Sequence, residues 1–199
     1  MYRLIAITGA GISKASNIPT FIEKGDLRDK LSREYFNKSP KKFYQALTEM
    51  KKAIDIAKPN DGHKALAEYN IPIITMNIDG LHGKAGSKNV LEVHGNLDFV
   101  YCRKCNIKYQ FNQIFKEIVC EKCNEVLDTN VVLYGDSIRD YDKAIDLVLS
   151  SNRVLVIGTS FYTSTVNYLV SVAKSKQIPI DIINELAETE VRKYLEKKL

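Results

Sequence analysis

The sequence predicts an α/β fold, a doubly wound parallel sheet with a smaller lobe beside it, and three observations carry that prediction. Short β-branched runs recur along the chain, several of them nearly continuous in apolar character, as strands covered on both faces must be. Segments with helical spacing lie between these runs, which gives the β/α alternation of a parallel sheet. Two stretches break the alternation, and one of them holds all four cysteines.

Taken in order, the predicted strands are Leu4–Ile7, Ile71–Thr75, Val90–Val93, Val131–Leu133, Val154–Ile157 and Ile178–Ile183. Helical spacing runs over His63–Tyr69, Asp140–Leu149 and Thr165–Ser175. The charged stretch 23–58 reads as a helical insert, and 99–128 as a zinc-ribbon insert. Together they would form the small lobe, leaving 1–22, 59–98 and 129–199 as the main body. In such a sheet the ligand crevice lies at the carboxyl ends of the strands, where the connections change direction.

The 199 residues, 45% hydrophobic and 27% charged, suit an ordinary core. The net charge of +5 comes from lysines interspersed with glutamates, as over Glu188–Lys198, and is read as solvated faces and not as a nucleic-acid footprint. The apolar stretch Leu4–Ile7 is far too short for a signal segment, and nothing later reaches eighteen apolar residues, so the expectation is a cytoplasmic protein with no membrane partner. In that compartment four cysteines are read as thiolates, with metal as the leading use.

Motifs fall at the predicted strand ends. The first strand runs into Gly9, Ala10, Gly11, Ile12 and Ser13, a glycine turn that would let backbone amides approach a pyrophosphate, although Lys14 stands where a dinucleotide fingerprint wants glycine. Cys102 and Cys105 are followed, after the fourteen residues 106–119, by Cys120 and Cys123. That is the spacing of a closed tetrahedral Cys₄ zinc site, which has no open position for water and therefore holds structure together. His94, at the end of a strand and followed by Gly95, suits a general base facing the crevice. His63 reads as a core or cap residue, and His82 as structural or supporting. Asn77 and Asp79 offer an amide and a carboxylate two residues apart. Gly158, Thr159 and Ser160 after one strand, and Asn184 after another, place small hydrogen-bonding groups that suit phosphate and ribose hydroxyls, or that could cap the next helix.

The order of these motifs resembles one family, the sirtuins. The resemblance runs from Gly9 to Phe21, through Thr75–His82, Leu91–Asn96, the paired Cys-x-x-Cys, Val131–Gly135 and Gly158–Ser160 to Asn184. It implies a Rossmann-like domain and NAD-dependent removal of acetyl or another uncharged acyl group from protein lysine, with NAD consumed and one structural zinc retained. It implies that Gly9, Ala10, Gly11 and Ser13 line the phosphates, that Phe21 and Met76 lie near the nicotinamide, and that Asn77 and Asp79 bind the nicotinamide end. Thr159 and Ser160, beside Gly158, would meet the phosphate and ribose region, and Asn184 the adenosine ribose. His94 would be the catalytic base. Val131, Val132, Leu133, Tyr134 and Gly135 would pair with an acylated-lysine peptide as an added strand. In the implied chemistry the acyl oxygen attacks the nicotinamide ribose and expels nicotinamide. His94 then assists a ribose hydroxyl, and water releases free lysine and O-acyl-ADP-ribose.

The pattern also departs from the family. The usual Gly-Ile-Pro-Asp-Phe-Arg becomes Asn17-Ile18-Pro19-Thr20-Phe21-Ile22, which removes an acid and an arginine, and Met76 replaces a usual glutamine. These changes keep open a second reading, an NAD-cleaving or ADP-ribosyl-transferring enzyme on the same fold, and beyond it a non-catalytic binding module. Leu47 and Met50 align approximately with the tyrosine and arginine that select acidic acyl groups, which favours uncharged acyl chains.

Overall fold

The computed structural model describes residues 1–18, 27–160 and 164–199, apart from the side chains of residues 27 and 28. The expectations placed on Thr20, Phe21 and Ile22 lie outside these residues. Among the described residues the strands are β1 (Ile5–Thr8), β2 (Ile73–Thr75), β3 (Val90–Glu92), β4 (Phe99–Cys102), β5 (Ile107–Gln110), β6 (Asp128–Thr129), β7 (Val154–Ile157) and β8 (Ile180–Ile183). The helices are α1 (Leu27–Lys30), α2 (Arg33–Lys38), α3 (Pro40–Ile56), α4 (Asp61–Glu68), α5 (Leu81–Lys84), α6 (Tyr141–Leu149), α7 (Ser164–Ser175) and α8 (Ala187–Lys198). A short 3-10 helix, Ala10–Ser16, follows β1.

Five strands form one parallel sheet in the order β3-β2-β1-β7-β8. The connections change direction between β1 and β7, the switch point at which a doubly wound sheet is expected to take its ligand. Strand periodicity divides the core. Ile5, Ile7, Ile74, Val154 and Val156 point to one face, under Ala144 and Val148 of α6 and Val166 and Leu169 of α7. Leu4, Ala6, Ile73, Leu155 and Ile157 point to the other, under Ala65 and Leu66 of α4 and Val191 and Leu195 of α8. Each Leu, Ile or Val among these, removed from water, contributes about 1.5–3 kcal/mol. Asp61 and Glu68 of α4 both accept from the Arg192 guanidinium of α8, which fixes how these two helices lie together.

A second, antiparallel sheet has the order β5-β4-β6. Its core is shared: Phe36, Phe43, Tyr44 and Leu47 of the helical stretch pack with Val100, Phe111 and Leu127 of the cysteine-bearing stretch. The two interruptions of the alternation therefore solve one another's burial problem. Tyr44 donates from its hydroxyl to the Leu127 carbonyl, 2.5 Å away, so even the phenol is satisfied inside this core.

One strand expectation is corrected. Val131–Leu133 is not a strand of either sheet. Val131 and Leu133 are buried in the small-lobe core, so the apolar run reflects packing against that core and not a place in the parallel ladder. Its backbone is tied at both ends: Val132 donates to the His94 carbonyl (2.9 Å), Tyr134 to the Leu31 carbonyl (3.0 Å), and Arg33 to the Tyr134 carbonyl (2.9 Å). The Arg33 side chain also forks onto Asp136 (2.7 and 2.8 Å) and reaches the buried Asp128 (2.9 Å), and Asp136 in turn accepts from the Leu133 amide (3.1 Å).

At the switch point the loops after β1 and β7 cross in direct backbone contact. Gly9 donates to the Ile157 carbonyl (2.9 Å) and Gly11 to the Gly158 carbonyl (2.7 Å). A Cβ at Gly11 would lie 2.6 Å from the Gly158 Cα, and one at Gly158, where φ is +60°, would lie 2.3 Å from the Ile12 nitrogen. Only glycine fits such a crossing. Replacement Gly158→Ala is expected to lower unfolding free energy by at least about 2 kcal/mol in urea denaturation, whereas an ordinary surface Gly→Ala change with φ below zero is neutral or mildly stabilising.

Candidate active site

The polar residues singled out in the sequence gather at the carboxyl ends of the parallel strands. Ser13 is their node. Its buried hydroxyl donates to Asp79 Oδ2 (2.7 Å) and accepts from Asn77 Nδ2 (3.2 Å), while the same Asn77 amide also reaches the Gly9 carbonyl (3.2 Å). Asp79 Oδ1 takes the Leu81 amide at the start of α5 (2.9 Å), so its carboxylate is held on both oxygens. The β1 loop and the β2 loop are thereby locked to each other. The Ser13 hydroxyl and the Gly9 and Gly11 amides are thus engaged by protein groups, a structural reason for these residues that the sequence alone did not give.

A second layer lies beneath. His82 Nε2 sits 2.9 Å from the Thr8 hydroxyl, which donates to the Thr75 hydroxyl (2.9 Å), and Thr75 accepts the Asn77 amide (3.1 Å). Since the Thr8 proton is committed to Thr75, the imidazole Nε2 is the donor toward Thr8. The His63 ring packs 4.9 Å from His82, with its Nε2 3.4 Å from the Ser13 hydroxyl. His63 is the core residue and His82 the structural one that the sequence suggested, and both are buried. Asn60 was not anticipated: it caps α4 through Gly62 (3.0 Å) while its amide donates to the Ile12 carbonyl (2.7 Å) and Ser16 (3.1 Å), anchoring the far end of the glycine loop. An asparagine just before a helix is an N-cap signal, but the second grip has no sequence signature.

His94 differs from the other two histidines. It is half-buried after β3, and its Nδ1 lies 3.0 Å from the Met76 carbonyl. A carbonyl only accepts, so Nδ1 carries the proton and Nε2 keeps its lone pair. Burial pushes this imidazole below its ordinary pKa, against the smaller opposing effect of the Met76 carbonyl. The ring is therefore neutral near pH 7 and its Nε2 can accept a proton. Gly95 makes the placement possible: with φ at +71°, a Cβ there would lie 2.1 Å from the Asn130 carbonyl oxygen. Across the switch point Thr159 donates its amide to Asn184 Oδ1 (3.1 Å), joining the ends of β7 and β8, and Ser160 and Asn184 are exposed beside it.

A family model described as the Sir2 family matches residues 9–165. The chain belongs to the Sir2 family. Its relatives include NAD-dependent protein deacetylases of Bacillus anthracis, 38% identical over 86% of this chain and 77% of the relative, and of Sulfolobus acidocaldarius, 35% identical over 96% and 85%. Among solved structures, a Sir2 homologue carrying a histidine-to-asparagine change, in complex with ADP-ribose, matches with a TM-score of 0.90 and 26% identity over 98% of this sirtuin and 91% of that chain. A Sir2 in complex with an inhibitor, 2'-O-acetyl-ADP-ribose and a deacetylated peptide matches with a TM-score of 0.85 and 28% identity over 98% and 93%.

In the small lobe of this sirtuin the four cysteines are free thiols whose sulfurs all lie within 4.8 Å of one another. A zinc ion with sulfurs at about 2.3 Å spaces them about 3.8 Å apart, so the tetrad needs only a small contraction. Each knuckle closes alike: Asn106 and Asn124 adopt positive φ and donate to the Cys102 and Cys120 carbonyls (2.9 Å each). Asparagine tolerates that conformation better than other side chains with a Cβ.

Burial pushes His63 down to about 4, against a weaker pull from the Asp79 carboxylate, and His82 down to about 3, with His63 as a lesser cause. Both rings are neutral when folded, whereas unfolded they titrate near 6.5. Between about pH 6.5 and 4 the unfolded chain therefore binds more protons, and stability falls as the pH falls. Urea denaturation at pH 7 and pH 5 should differ by about 2 kcal/mol per histidine, and stability that stayed flat over this range would contradict a neutral buried pair.

Proposed function

We propose that this sirtuin is an NAD-dependent protein deacetylase that removes acetyl or another uncharged acyl group from lysine, releasing nicotinamide and O-acyl-ADP-ribose. The observation that carries the reading is His94: a neutral imidazole at a strand's carboxyl end, with its tautomer fixed by the Met76 carbonyl and Nε2 left as a base. The curated relatives are NAD-dependent protein deacetylases, and the matched structures hold ADP-ribose, acetyl-ADP-ribose and peptides, including a propionylated one.

In this proposal NAD, the co-substrate, lies across the switch point. Asn77 and Asp79, held by Ser13, face the nicotinamide end with Met76. Gly9, Ala10, Gly11 and Gly158 form the floor under the phosphates, the three glycines being fixed there by the loop crossing that excludes a Cβ at each. Thr159, Ser160 and Asn184 meet the ribose and phosphate groups. The acyl oxygen of the lysine attacks the nicotinamide ribose, and nicotinamide leaves with the bonding electrons. His94 Nε2 then takes the proton of a ribose hydroxyl as that oxygen attacks the acyl carbon, and water completes the release of lysine. The segment Val131, Val132, Leu133, Tyr134 and Gly135 receives the peptide as an added strand. The segment is fixed beforehand by His94, Leu31 and Arg33 and so loses little entropy on pairing, and because the amides of Val131, Val132, Leu133 and Tyr134 are donated to Thr129, His94, Asp136 and Leu31, the pairing falls to its carbonyls, such as those of Val131 and Val132. Cys102, Cys105, Cys120 and Cys123 hold one zinc ion, a closed site that stabilises the small lobe and supplies no chemistry.

Replacement His94→Ala is expected to reduce kcat on an acetyl-lysine peptide by at least about 100-fold, as followed by mass analysis of the peptide, and full deacetylation by that variant would exclude the mechanism. Because the His94 pKa lies below 6.5, the acid limb of kcat/KM should fall below that pH. Metal analysis should find one zinc per chain. Replacement Cys120→Ser should lose it and expose residues 99–128 to limited proteolysis, and a metal-free native protein with a protease-resistant small lobe would refute the zinc assignment.

A further inference from the structure

A cavity of about 400 Å³ lies between β4 and the segment that follows β6, lined by Tyr101, Arg103, Val132, Asp136 and Arg139 among others. Its charges do not cancel. Arg33 is shared by Asp128 and Asp136, and Arg103 pairs with Asp128, so these two cations and two anions are already matched to one another. Nearby, Asp140 pairs with Lys143. The Arg139 guanidinium has neutral partners: Asn130 Oδ1 at 3.4 Å, at the limit of a hydrogen bond, and the Tyr101 ring with its centroid 5.7 Å away. Among the charged residues that line the cavity, Arg103 and Arg139 stand against Asp136, so its wall carries one surplus positive charge, and the Arg33–Asp128 pair behind it adds none. Arg139 is itself exposed, so that charge is available to a ligand.

The position of the cavity says what the ligand is. Val132 lines it, and the Val132 amide is bonded to the His94 carbonyl. An extended peptide paired alongside Val131–Gly135 advances about 3.3 Å per residue and turns alternate side chains to opposite sides. Residues near the acyl-lysine therefore pass the cavity mouth, with one side chain in each pair directed toward it. We infer that this cavity is a subsite for an acidic side chain of the substrate, aspartate or glutamate within about four residues of the acyl-lysine, received by Arg139 beside the Tyr101 ring. This rests on the deacetylase reading and deepens it: turnover belongs to His94, and choice of sequence belongs to Arg139. A planar guanidinium braced on an aromatic ring matches a carboxylate with two donors, while a glutamine side chain offers a single weaker acceptor.

The test uses fluorescein-labelled acetyl-lysine peptides in which each of the four positions on either side of the lysine carries glutamine or, in turn, glutamate. Affinity is read by anisotropy and deacetylation by mass analysis. At low salt, glutamate at one position should bind about three- to ten-fold more tightly than glutamine. The advantage should shrink at 0.5 M salt, vanish in Arg139→Gln and persist in part in Arg139→Lys. Glutamate favoured at no position, or a preference that survives Arg139→Gln, overturns the subsite. The two readings separate cleanly. Deacetylation without any glutamate preference leaves the enzyme and removes the subsite, and an Arg139-dependent preference without turnover does the reverse.

Discussion

The backbone crossing at Gly9, Gly11 and Gly158 is the constraint on which the rest of the site depends. Two loops from neighbouring strands approach until a carbonyl and an amide meet at 2.7 Å, with no room for a Cβ on either side. That contact sets where the chain re-emerges from β1 and so where Ser13 comes to lie. Ser13 then gathers Asn77 and Asp79, whose own strand is registered against β1 through Thr8 and Thr75. The crevice is thus shaped by main-chain packing, and the polar side chains take their places around it. Asn60 and the α4–α8 pair hold the same loop from behind.

Burial divides the three histidines by role. His63 and His82 lie wholly inside, where the cost of desolvating a charge keeps them neutral, and neither has a hydrogen-bond partner for its Nδ1 among the described residues. They fill volume and carry single hydrogen bonds beneath the carboxylate of Asp79. His94 is only half-buried, and the carbonyl that fixes its tautomer leaves the opposite nitrogen for chemistry. A general base needs this combination of neutrality near pH 7 and access from the crevice. The small lobe contributes through the Arg33 fork, which carries order from α2 to Asp128 and Asp136 and so to the segment beside His94.

Much of this was legible in the sequence where the signal is local. Val154–Ile157 matches its strand end to end, and the other strands of the parallel sheet differ from expectation by a residue or two at their ends, whereas the three strands of the antiparallel sheet have no counterpart in the expectation. The cysteine tetrad follows from spacing alone, because each knuckle is a local turn. Val131–Leu133 reads as a strand because a β-branched apolar run looks the same whether sheet neighbours cover it or, as here, Val131 and Leu133 are buried in a separate core. Arg33 and Asp136 were invisible: they lie 103 residues apart, and nothing in a charged helical stretch marks which arginine will cross that distance. The glycines were recognised, but for a ligand's sake; their partner at Gly158 is a tertiary fact that no local pattern contains.

Under the proposed function, NAD cleavage is coupled to an acylated lysine lying beside His94. The decisive measurement is nicotinamide release from NAD by the zinc-loaded protein with an acetyl-lysine peptide, with the same peptide unmodified, and with no peptide. Release is expected only in the first case, with free lysine appearing in equal amount. Equal release in all three would contradict it and identify an enzyme that cleaves NAD without regard to acyl-lysine.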